Sequence, residues 1–166
     1  MSKKNIKLFL TDCDGCLTDG GMYYTESGDE FKRFNTLDGM GFQLLKEHHI
    51  LTGIITGEDT KIVERRANKL KVDFLRQGVK DKLSVIQEIC KENNVNLEDV
   101  VYVGDDINDY EAIKAVGYGC CVNNAIEKVK EVSDHISSKN GGSGAIREII
   151  DWIFENDSLT SGENYD

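Results

Sequence analysis

The chain has 166 residues, enough for one domain with its own hydrophobic core. Its net charge of −10 argues against a nucleic-acid partner, because duplex binding depends on many contacts of lysine and arginine to phosphate. No apolar run approaches the ~18 residues that a membrane span needs, and the N-terminus does not resemble a signal peptide, so we expect a cytoplasmic protein with no membrane partner.

Short apolar runs alternate with longer amphipathic stretches along the chain. The apolar runs predict strands at residues 6–11, 51–56, 72–75, 100–103, 118–122 and 135–136. Helical spacing predicts helices at residues 40–47, 60–70, 82–92, 109–115, 126–132 and 145–154. This alternation is typical of βαβ units, so we predict an α/β fold with three layers and a mostly parallel, Rossmann-like sheet.

Residues 20–34 interrupt the alternation directly after the first strand. Met22-Tyr23-Tyr24 and Glu30-Phe31 flank Ser27-Gly28-Asp29, which predicts a small β-hairpin that serves as a flap. No insertion between the strands is large enough for a separate cap domain. We therefore expect a single domain over residues 1–156 and a polar, acidic tail over residues 157–166.

Polar residues follow the predicted strands at the point where each strand ends. Asp12 and Asp14 follow the first strand, Thr56-Gly57 follows the second, and Gly104-Asp105-Asp106 follows the fourth. Ligands of an open parallel sheet bind beyond the carboxyl ends of its strands. The sequence therefore predicts one functional site at this edge of the sheet.

The acids at this edge suit phosphate chemistry that is assisted by a metal. Asp12 and Asp14 lie two residues apart at a strand end, so they project to the same side. One carboxylate can attack phosphorus while the other handles the proton of the leaving group. Asp105 and Asp106 offer the oxygen ligands that Mg²⁺ prefers, although they can instead cap the next helix.

The other polar positions suit the phosphate itself. The Thr56 hydroxyl and the free N–H groups after it can cradle a phosphate at a helix start, or can simply cap that helix. Lys82 lies near the start of a predicted helix, where a lysine opposes the helix dipole unless an anion compensates for it. Lys80 is an equal candidate on this evidence alone.

Together these motifs resemble, in order, the four motifs of the haloacid dehalogenase superfamily, over about residues 6–153. Four longer strings are similar to its capless branch: Asp12-x-Asp14-Gly15-x-Leu17-Thr18-Asp19-Gly20, Phe34-Asn35-x-x-Asp38-Gly39, Gln77-Gly78-x-x-Asp81-Lys82 and Gly141-Gly142-x-Gly144-Ala145-x-Arg147-Glu148. Cys13 and Cys16 stand where this family commonly has aliphatic residues. Because no second Cys/His pair has ligand spacing, we expect no zinc at these cysteines.

The resemblance implies a Mg²⁺-dependent phosphatase that forms an aspartyl-phosphate. It implies that Asp12 is the nucleophile and Asp14 the general acid and base. It selects Lys82 rather than Lys80 as the lysine that neutralises the phosphate. The remaining implied roles are metal binding by Asp12, Asp14 (through its backbone carbonyl) and Asp105, phosphate binding by Thr56, Gly57 and Lys82, and support from just outside the metal ligands by Asp106 and Asp109.

Three further residues bear on the substrate, namely Glu58, Arg66 and Lys69. Arg66 and Lys69 lie three apart on one helical face, and a merely solvated face is the alternative interpretation. The capless branch contains phosphatases for 3-deoxy-D-manno-octulosonate (KDO) 8-phosphate, which usually carry Arg and a small polar residue in place of Glu58 and Lys69. It also contains phosphatases for nonulosonate 9-phosphates, which resemble this chain at both positions.

We therefore expect a small phosphorylated sugar acid as the substrate, with a nonulosonate (KDN or sialic acid) 9-phosphate preferred and KDO 8-phosphate as the alternative. Arg66 would bind the sugar carboxylate in either case, since a guanidinium can hold a carboxylate with two hydrogen bonds.

A site without a cap domain either stays open or is covered by a neighbouring subunit. The capless branch forms tetramers, and the hairpin residues Met22, Tyr23, Tyr24 and Phe31 would give it an apolar face suited to an interface. The resemblance therefore implies a homotetramer, unless these side chains pack on their own domain. A non-catalytic assembly module, like the phosphatase-like domain appended to some CMP-sialic acid synthetases, is the alternative of another class.

Overall fold

The computed structural model describes residues 5–156. Its strands are β1 (Leu8–Thr11), β2 (Tyr23–Tyr24), β3 (Glu30–Phe31), β4 (Leu51–Ile55), β5 (Phe74–Arg76), β6 (Val100–Gly104), β7 (Tyr118–Cys121) and β8 (His135–Ile136). Its α-helices are α1 (Thr36–Glu47), α2 (Lys61–Leu70), α3 (Lys82–Asn93), α4 (Tyr110–Ala115), α5 (Glu127–Lys130) and α6 (Ala145–Asn156). The predicted acidic tail lies outside the described residues.

Six of the strands form one parallel sheet in the order β5-β4-β1-β6-β7-β8. β1 pairs with β4 on one side and with β6 on the other, so β1 is a central strand and the sheet extends from it on both sides. Leu8, Phe9 and Leu10 of β1 are completely buried, as expected for a central parallel strand that is covered on both faces. The predicted Rossmann-like α/β fold is confirmed.

The helices fall into two groups, and each group is held together by contacts between its own members. α1 contacts α2 and α6, whereas α4 contacts both α3 and α5. α1 and α6 approach so closely that a Cβ atom added to Gly41 would lie 2.7 Å from Ile150 Cδ1. No helix among residues 5–156 is long and apolar enough to cross a membrane.

Several predicted boundaries differ from the structure for local reasons. α1 begins at Thr36, not at residue 40, because Asn35 caps it by accepting a hydrogen bond from the Leu37 N–H at 2.9 Å. Gly39 and Gly41, which are poor helix formers, obscure its first turns in the sequence. The helix predicted from residue 109 begins at Tyr110, since Ile107–Asp109 forms a 3₁₀ turn.

The predicted hairpin is present as the antiparallel pair of β2 and β3. Gly28 closes its turn with φ = 91°, a conformation that glycine adopts readily. The large side chains of the hairpin are exposed, at 55% for Met22, 43% for Tyr23, 60% for Tyr24 and 59% for Phe31. They are therefore not packed into the domain that carries them.

Candidate active site

Asp12 continues the central strand at the carboxyl edge of the sheet. Its N–H donates to the Val103 carbonyl at 2.9 Å, so its backbone follows the β1–β6 ladder. Its side chain is nearly buried, and Oδ1 accepts a hydrogen bond from the Cys13 N–H at 2.7 Å. The carboxylate is therefore held in a fixed orientation at the end of the sheet.

Lys82 is the lysine that the structure brings to Asp12. It is the first residue of α3, its side chain is 1% exposed, and its Nζ lies 3.1 Å from Asp12 Oδ1 and 2.6 Å from Asp109 Oδ1. Burial opposes its charge, but the two carboxylates outweigh burial and raise the pKa of Lys82. They also compensate for the unfavourable helix dipole. Lys80, in contrast, is exposed.

Asp109 organises the loop that carries the next acids. Its Oδ1 also accepts a hydrogen bond from the Tyr102 hydroxyl at 2.6 Å. Its Oδ2 accepts from the N–H groups of Asp105 at 2.9 Å and Asp106 at 3.2 Å. A Cβ atom at Gly104 would lie only 2.3 Å from Asp109 Cβ, so only glycine lets the carboxylate fold back over this loop.

Asp105 and Asp106 have different surroundings. Asp105 is partly buried, whereas Asp106 is exposed and accepts a hydrogen bond from the Ile107 N–H at 2.6 Å. The capping interpretation is therefore correct for Asp106. A Cβ atom at Gly15 would lie 2.1 Å from Asp105 Oδ2, which places the loop after β1 directly against the Asp105 carboxylate.

Asp14 has a partner that the sequence analysis did not identify. Its Oδ1 accepts a hydrogen bond from Lys32 Nζ at 2.6 Å, and the same ammonium donates to Glu58 Oε2 at 2.9 Å. Oδ2 of Asp14 is buried and has no hydrogen-bond partner within residues 5–156. This acceptor is therefore not satisfied by the part of the chain that the structure describes.

Thr56 and Gly57 lie beside these acids but not at a helix start. α2 begins at Lys61 and is capped by Thr60, whose Oγ1 accepts from the Val63 N–H at 3.3 Å. The predicted cradle at the start of a helix is therefore wrong in that detail. The residues around the resulting cavity, of about 220 Å³, are Asp12, Asp14, Thr56, Gly57, Glu58, Asp105, Asp106 and Asn108.

Of the three predicted sugar-binding residues, only Glu58 lines this cavity. Arg66 donates from Nη2 to the Asn35 carbonyl at 3.0 Å, and its guanidinium carbon lies 5.1 Å from the centre of the Phe34 ring. Arg66 and Lys69 line an adjoining cavity of about 260 Å³, whose lining includes Lys32. Lys32 lies between the two cavities, because it lines the second one and its ammonium reaches Asp14 and Glu58 of the first.

Two other motifs that carry the family resemblance, around Asn35 and around Gly141, lie at the loop after β1. A Cβ atom at Gly141 would lie 1.8 Å from the Gly15 carbonyl oxygen, so these backbones touch. Asn35 Nδ2 donates to the Gly142 carbonyl at 3.4 Å. Asp38, which is completely buried, accepts from the Arg147 N–H at 3.0 Å and so caps the first turn of α6.

The donor set fits a hard divalent cation. Oxygen atoms of Asp12 and Asp105 lie within 4.8 Å of each other and of Cys16 Sγ. Burial and the nearby carboxylates raise the pKa of the Cys16 thiol well above its usual value, so Cys16 stays protonated and only the carboxylates offer anionic ligands.

The negative charges of Asp12 and Asp105 are not fully compensated by other groups of the protein. Burial raises the pKa of Asp12 even though Lys82 opposes this shift, and burial together with Asp109 raises the pKa of Asp105 to about 6. A divalent cation between Asp12 and Asp105 would favour their charged forms, and oxygen ligands of this kind are typical of Mg²⁺ sites.

Comparisons with known proteins identify the family. Residues 43–150 match the model of the haloacid dehalogenase-like hydrolases. The 3-deoxy-D-manno-octulosonate 8-phosphate phosphatase of Haemophilus influenzae is 36% identical over 152 residues, which cover 92% of this chain and 84% of that protein. The chain belongs to the haloacid dehalogenase-like hydrolases.

Two solved structures of this family have the same fold. The KDO 8-phosphate phosphatase of Moraxella catarrhalis, in complex with magnesium, phosphate and KDO, has a TM-score of 0.90 at 40% identity and covers 93% of this chain and 88% of its own. A probable YrbI family phosphatase from Pseudomonas syringae has a TM-score of 0.91 at 41% identity, with coverage of 98% and 96%. The prediction of a phosphatase is confirmed, and the predicted Mg²⁺ agrees with the magnesium of the Moraxella haloacid dehalogenase-like hydrolase.

Proposed function

We propose that this haloacid dehalogenase-like hydrolase is a Mg²⁺-dependent phosphatase that hydrolyses the phosphate ester of a 2-keto-3-deoxy sugar acid. One observation carries the proposal. Around a single cavity, Asp12 is paired with the buried ammonium of Lys82 at 3.1 Å, beside Asp14, whose Oδ2 has no partner within residues 5–156. These are a nucleophile, a cation for the phosphate and a proton carrier.

The arrangement supports a reaction in two steps. The Asp12 carboxylate attacks phosphorus, the bond from phosphorus to the sugar oxygen breaks, and Asp14 gives its proton to that oxygen. Asp14 then takes a proton from a water molecule that attacks the aspartyl-phosphate, which releases phosphate and restores Asp12.

Charge neutralisation has two sources in this proposal. Lys82 is kept charged by Asp12 and Asp109 and would face the phosphate that Asp12 attacks. Mg²⁺ held by Asp12, Asp105 and the backbone carbonyl of Asp14 would add the positive charge that phosphoryl transfer requires. Thr56 and Gly57 line the same cavity and would bind phosphate oxygens.

KDO 8-phosphate is the substrate that the relatives favour. The matched phosphatases of Haemophilus influenzae and Moraxella catarrhalis are named for this eight-carbon sugar. The sequence favoured a nine-carbon sugar acid, but the comparisons support the alternative, the eight-carbon acid, better. We therefore place KDO 8-phosphate first.

A nonulosonate 9-phosphate is the second candidate, because of Glu58. This carboxylate lies at the cavity and is 44% exposed, so it can accept hydrogen bonds from the hydroxyl groups of a sugar tail. Lys69 and Arg66 lie in the adjoining cavity, where a longer sugar acid could reach them past Lys32.

The ratio of kcat/KM for the two substrates decides between these candidates. In the presence of Mg²⁺, phosphate release should be measured for KDO 8-phosphate and for a nonulosonate 9-phosphate. Replacing Glu58 with Arg and Lys69 with Thr should shift the ratio toward the eight-carbon substrate by about tenfold or more, since a charge-assisted contact to the longer sugar is lost.

The matched control is the pair Asp59→Arg and Lys61→Thr, which makes the same chemical changes at exposed neighbouring positions outside both cavities. It should leave the ratio unchanged. An unchanged ratio in the test variant would mean that Glu58 and Lys69 are solvated and do not select the sugar. A protein that releases phosphate from neither substrate would favour the non-catalytic assembly module.

We also propose a homotetramer, on the basis of the exposed hairpin. Met22, Tyr23, Tyr24 and Phe31 are exposed apolar side chains on a hairpin next to an open site, and clustered side chains of this kind commonly mark interfaces. Light scattering at micromolar concentration should give about four chains per particle, and replacing Tyr24 and Phe31 with Ser should lower this number. A monomer with full activity would contradict the idea that a neighbouring subunit covers the site.

A further inference from the structure

Lys32 occupies an unusual position for a lysine on a small hairpin. It follows β3 directly, and its neighbours Phe31 and Arg33 are exposed, whereas its own side chain is 5% exposed. Successive side chains of an extended strand point to opposite faces, so Lys32 points inward while its neighbours point outward. A lysine that points inward from an otherwise exposed hairpin indicates a specific partner in the domain beneath the hairpin.

That partner is the side chain of Asp14. Lys32 Nζ lies 2.6 Å from Asp14 Oδ1, in the range of a strong charge-assisted hydrogen bond, and 2.9 Å from Glu58 Oε2. Burial works against the charge of Lys32, but both carboxylates outweigh it and raise its pKa. The ammonium therefore stays charged between two carboxylates.

Within residues 5–156, Lys32 is the side-chain donor that orients Asp14. The other oxygen, Oδ2, is buried and has no partner there. A carboxylate with one oxygen held by an ammonium has a defined orientation, which also fixes the direction of its second oxygen. An acid–base group must be placed within hydrogen-bond reach of the proton that it transfers, so this restraint bears directly on the rate.

We propose that Lys32 is a positioning residue through which the hairpin fixes the Asp14 carboxylate for proton transfer to and from the substrate. The inference rests on the proposed function, in which Asp14 is the general acid and base. Glu58 holds the other side of the Lys32 ammonium, so the residue that faces the sugar tail is linked to the residue that handles the proton. A sugar that binds Glu58 would thus also act on the placement of Asp14.

The leaving group of the substrate provides the test. An alkyl oxygen, as in a sugar phosphate, needs a proton from Asp14, whereas the nitrophenolate of p-nitrophenyl phosphate leaves without one. Lys32→Met should lower kcat on the sugar phosphate by about 10- to 100-fold while KM changes less than about threefold, because general acid–base catalysis is worth about 10²–10⁴ in total.

With p-nitrophenyl phosphate, the same variant should release a burst of nitrophenolate close to one equivalent per subunit, followed by slow turnover. Asp12 is still phosphorylated, but a misplaced Asp14 no longer activates the water that removes the phosphate. A merely structural role would slow the burst as well. Wild-type kcat on the sugar phosphate, or a loss on both substrates without a burst, would overturn the inference.

Three further variants serve as controls for Lys32→Met. Arg33→Met removes the neighbouring positive charge on the same hairpin and should behave as wild type, because Arg33 is exposed and is 3.9 Å from Asp19 rather than at Asp14. Lys32→Arg should recover part of the lost kcat. Lys32→Gln, which also lacks the charge, carries the same test if Lys32→Met does not fold.

Asp14→Asn separates failure of this inference from failure of the proposed function. It should itself show the burst with p-nitrophenyl phosphate. The double variant with Lys32→Met should lose no further kcat, since both changes remove the same function, proton transfer by Asp14. If Asp14→Asn shows the burst but Lys32→Met resembles wild type, the role of Lys32 alone is wrong. If Asp14→Asn has wild-type kcat on the sugar phosphate, the role of Asp14 is wrong and the inference falls with it.

Discussion

Replacing Asp12 with Asn should abolish phosphate release and leave the fold intact. The amide has the shape of the carboxylate, but it lacks the charge needed to attack phosphorus and to bind a cation. Lys82 keeps its partner Asp109 at 2.6 Å in this variant, so no buried cation is left alone. Phosphate release on the best substrate, measured with Mg²⁺ present, gives the effect on activity, and thermal unfolding checks the fold.

Two controls accompany the Asp12 variant. Asp59→Asn makes the same change at an exposed acid outside the cavity and should retain wild-type activity. Removing divalent cations from the wild type with a chelator should also abolish phosphate release, and added Mg²⁺ should restore it. If Asp12→Asn kept more than about a tenth of wild-type activity, a loss of only ~1.4 kcal/mol, covalent catalysis at Asp12 would be wrong.

Replacing Lys82 with Met should cost both activity and stability. The change leaves Asp12 and Asp109, two carboxylates that are almost entirely buried, without their shared cation. Loss of one partner from a buried ion pair typically destabilises a protein by about 3–5 kcal/mol. Urea denaturation should show this loss in the free energy of unfolding, and phosphate release should fall to the background.

Lys80→Met is the matched control for this variant, because Lys80 lies two residues away and is exposed. Its free energy of unfolding should stay within about 0.5 kcal/mol of wild type. Adding Asp109→Asn to Lys82→Met should recover part of the lost stability but no activity, since it removes one of the stranded charges. A Lys82→Met protein as stable as wild type would show that the pair contributes nothing to the fold.

The sequence predicted the sheet and one acidic edge because both depend on local patterns. Apolar runs, all but the last of them four to six residues long, predict the strands, and the acids directly after them must then lie at the carboxyl edge of a parallel sheet. Asp12, Asp14 and Asp105 follow from that rule alone, and the structure places all three around one cavity. The choice of Lys82 over Lys80 needed the family resemblance, since both lysines stand near the start of the same helix.

Contacts between distant segments could not be predicted in this way. Lys32 lies 18 residues from Asp14, and only the side on which the hairpin folds brings them together. Tyr102 reads in the sequence as one more apolar strand residue, yet its hydroxyl is bound to Asp109 inside the core. Arg66 was predicted to bind the sugar carboxylate, which stays a prediction; that its guanidinium packs on Phe34 and lines the adjoining cavity could not be read from the sequence, because the direction of a helix face is set by its neighbours.

The contact of Gly141 with Gly15 has a consequence for the synthesis of the protein. The loop that carries Asp12 and Asp14 is synthesised more than a hundred residues before the backbone against which it packs. Contacts of such long range form late and slow folding. The nascent chain therefore carries its reactive acids long before they are in place, and the site is completed only when the residues around Gly141 have joined the domain.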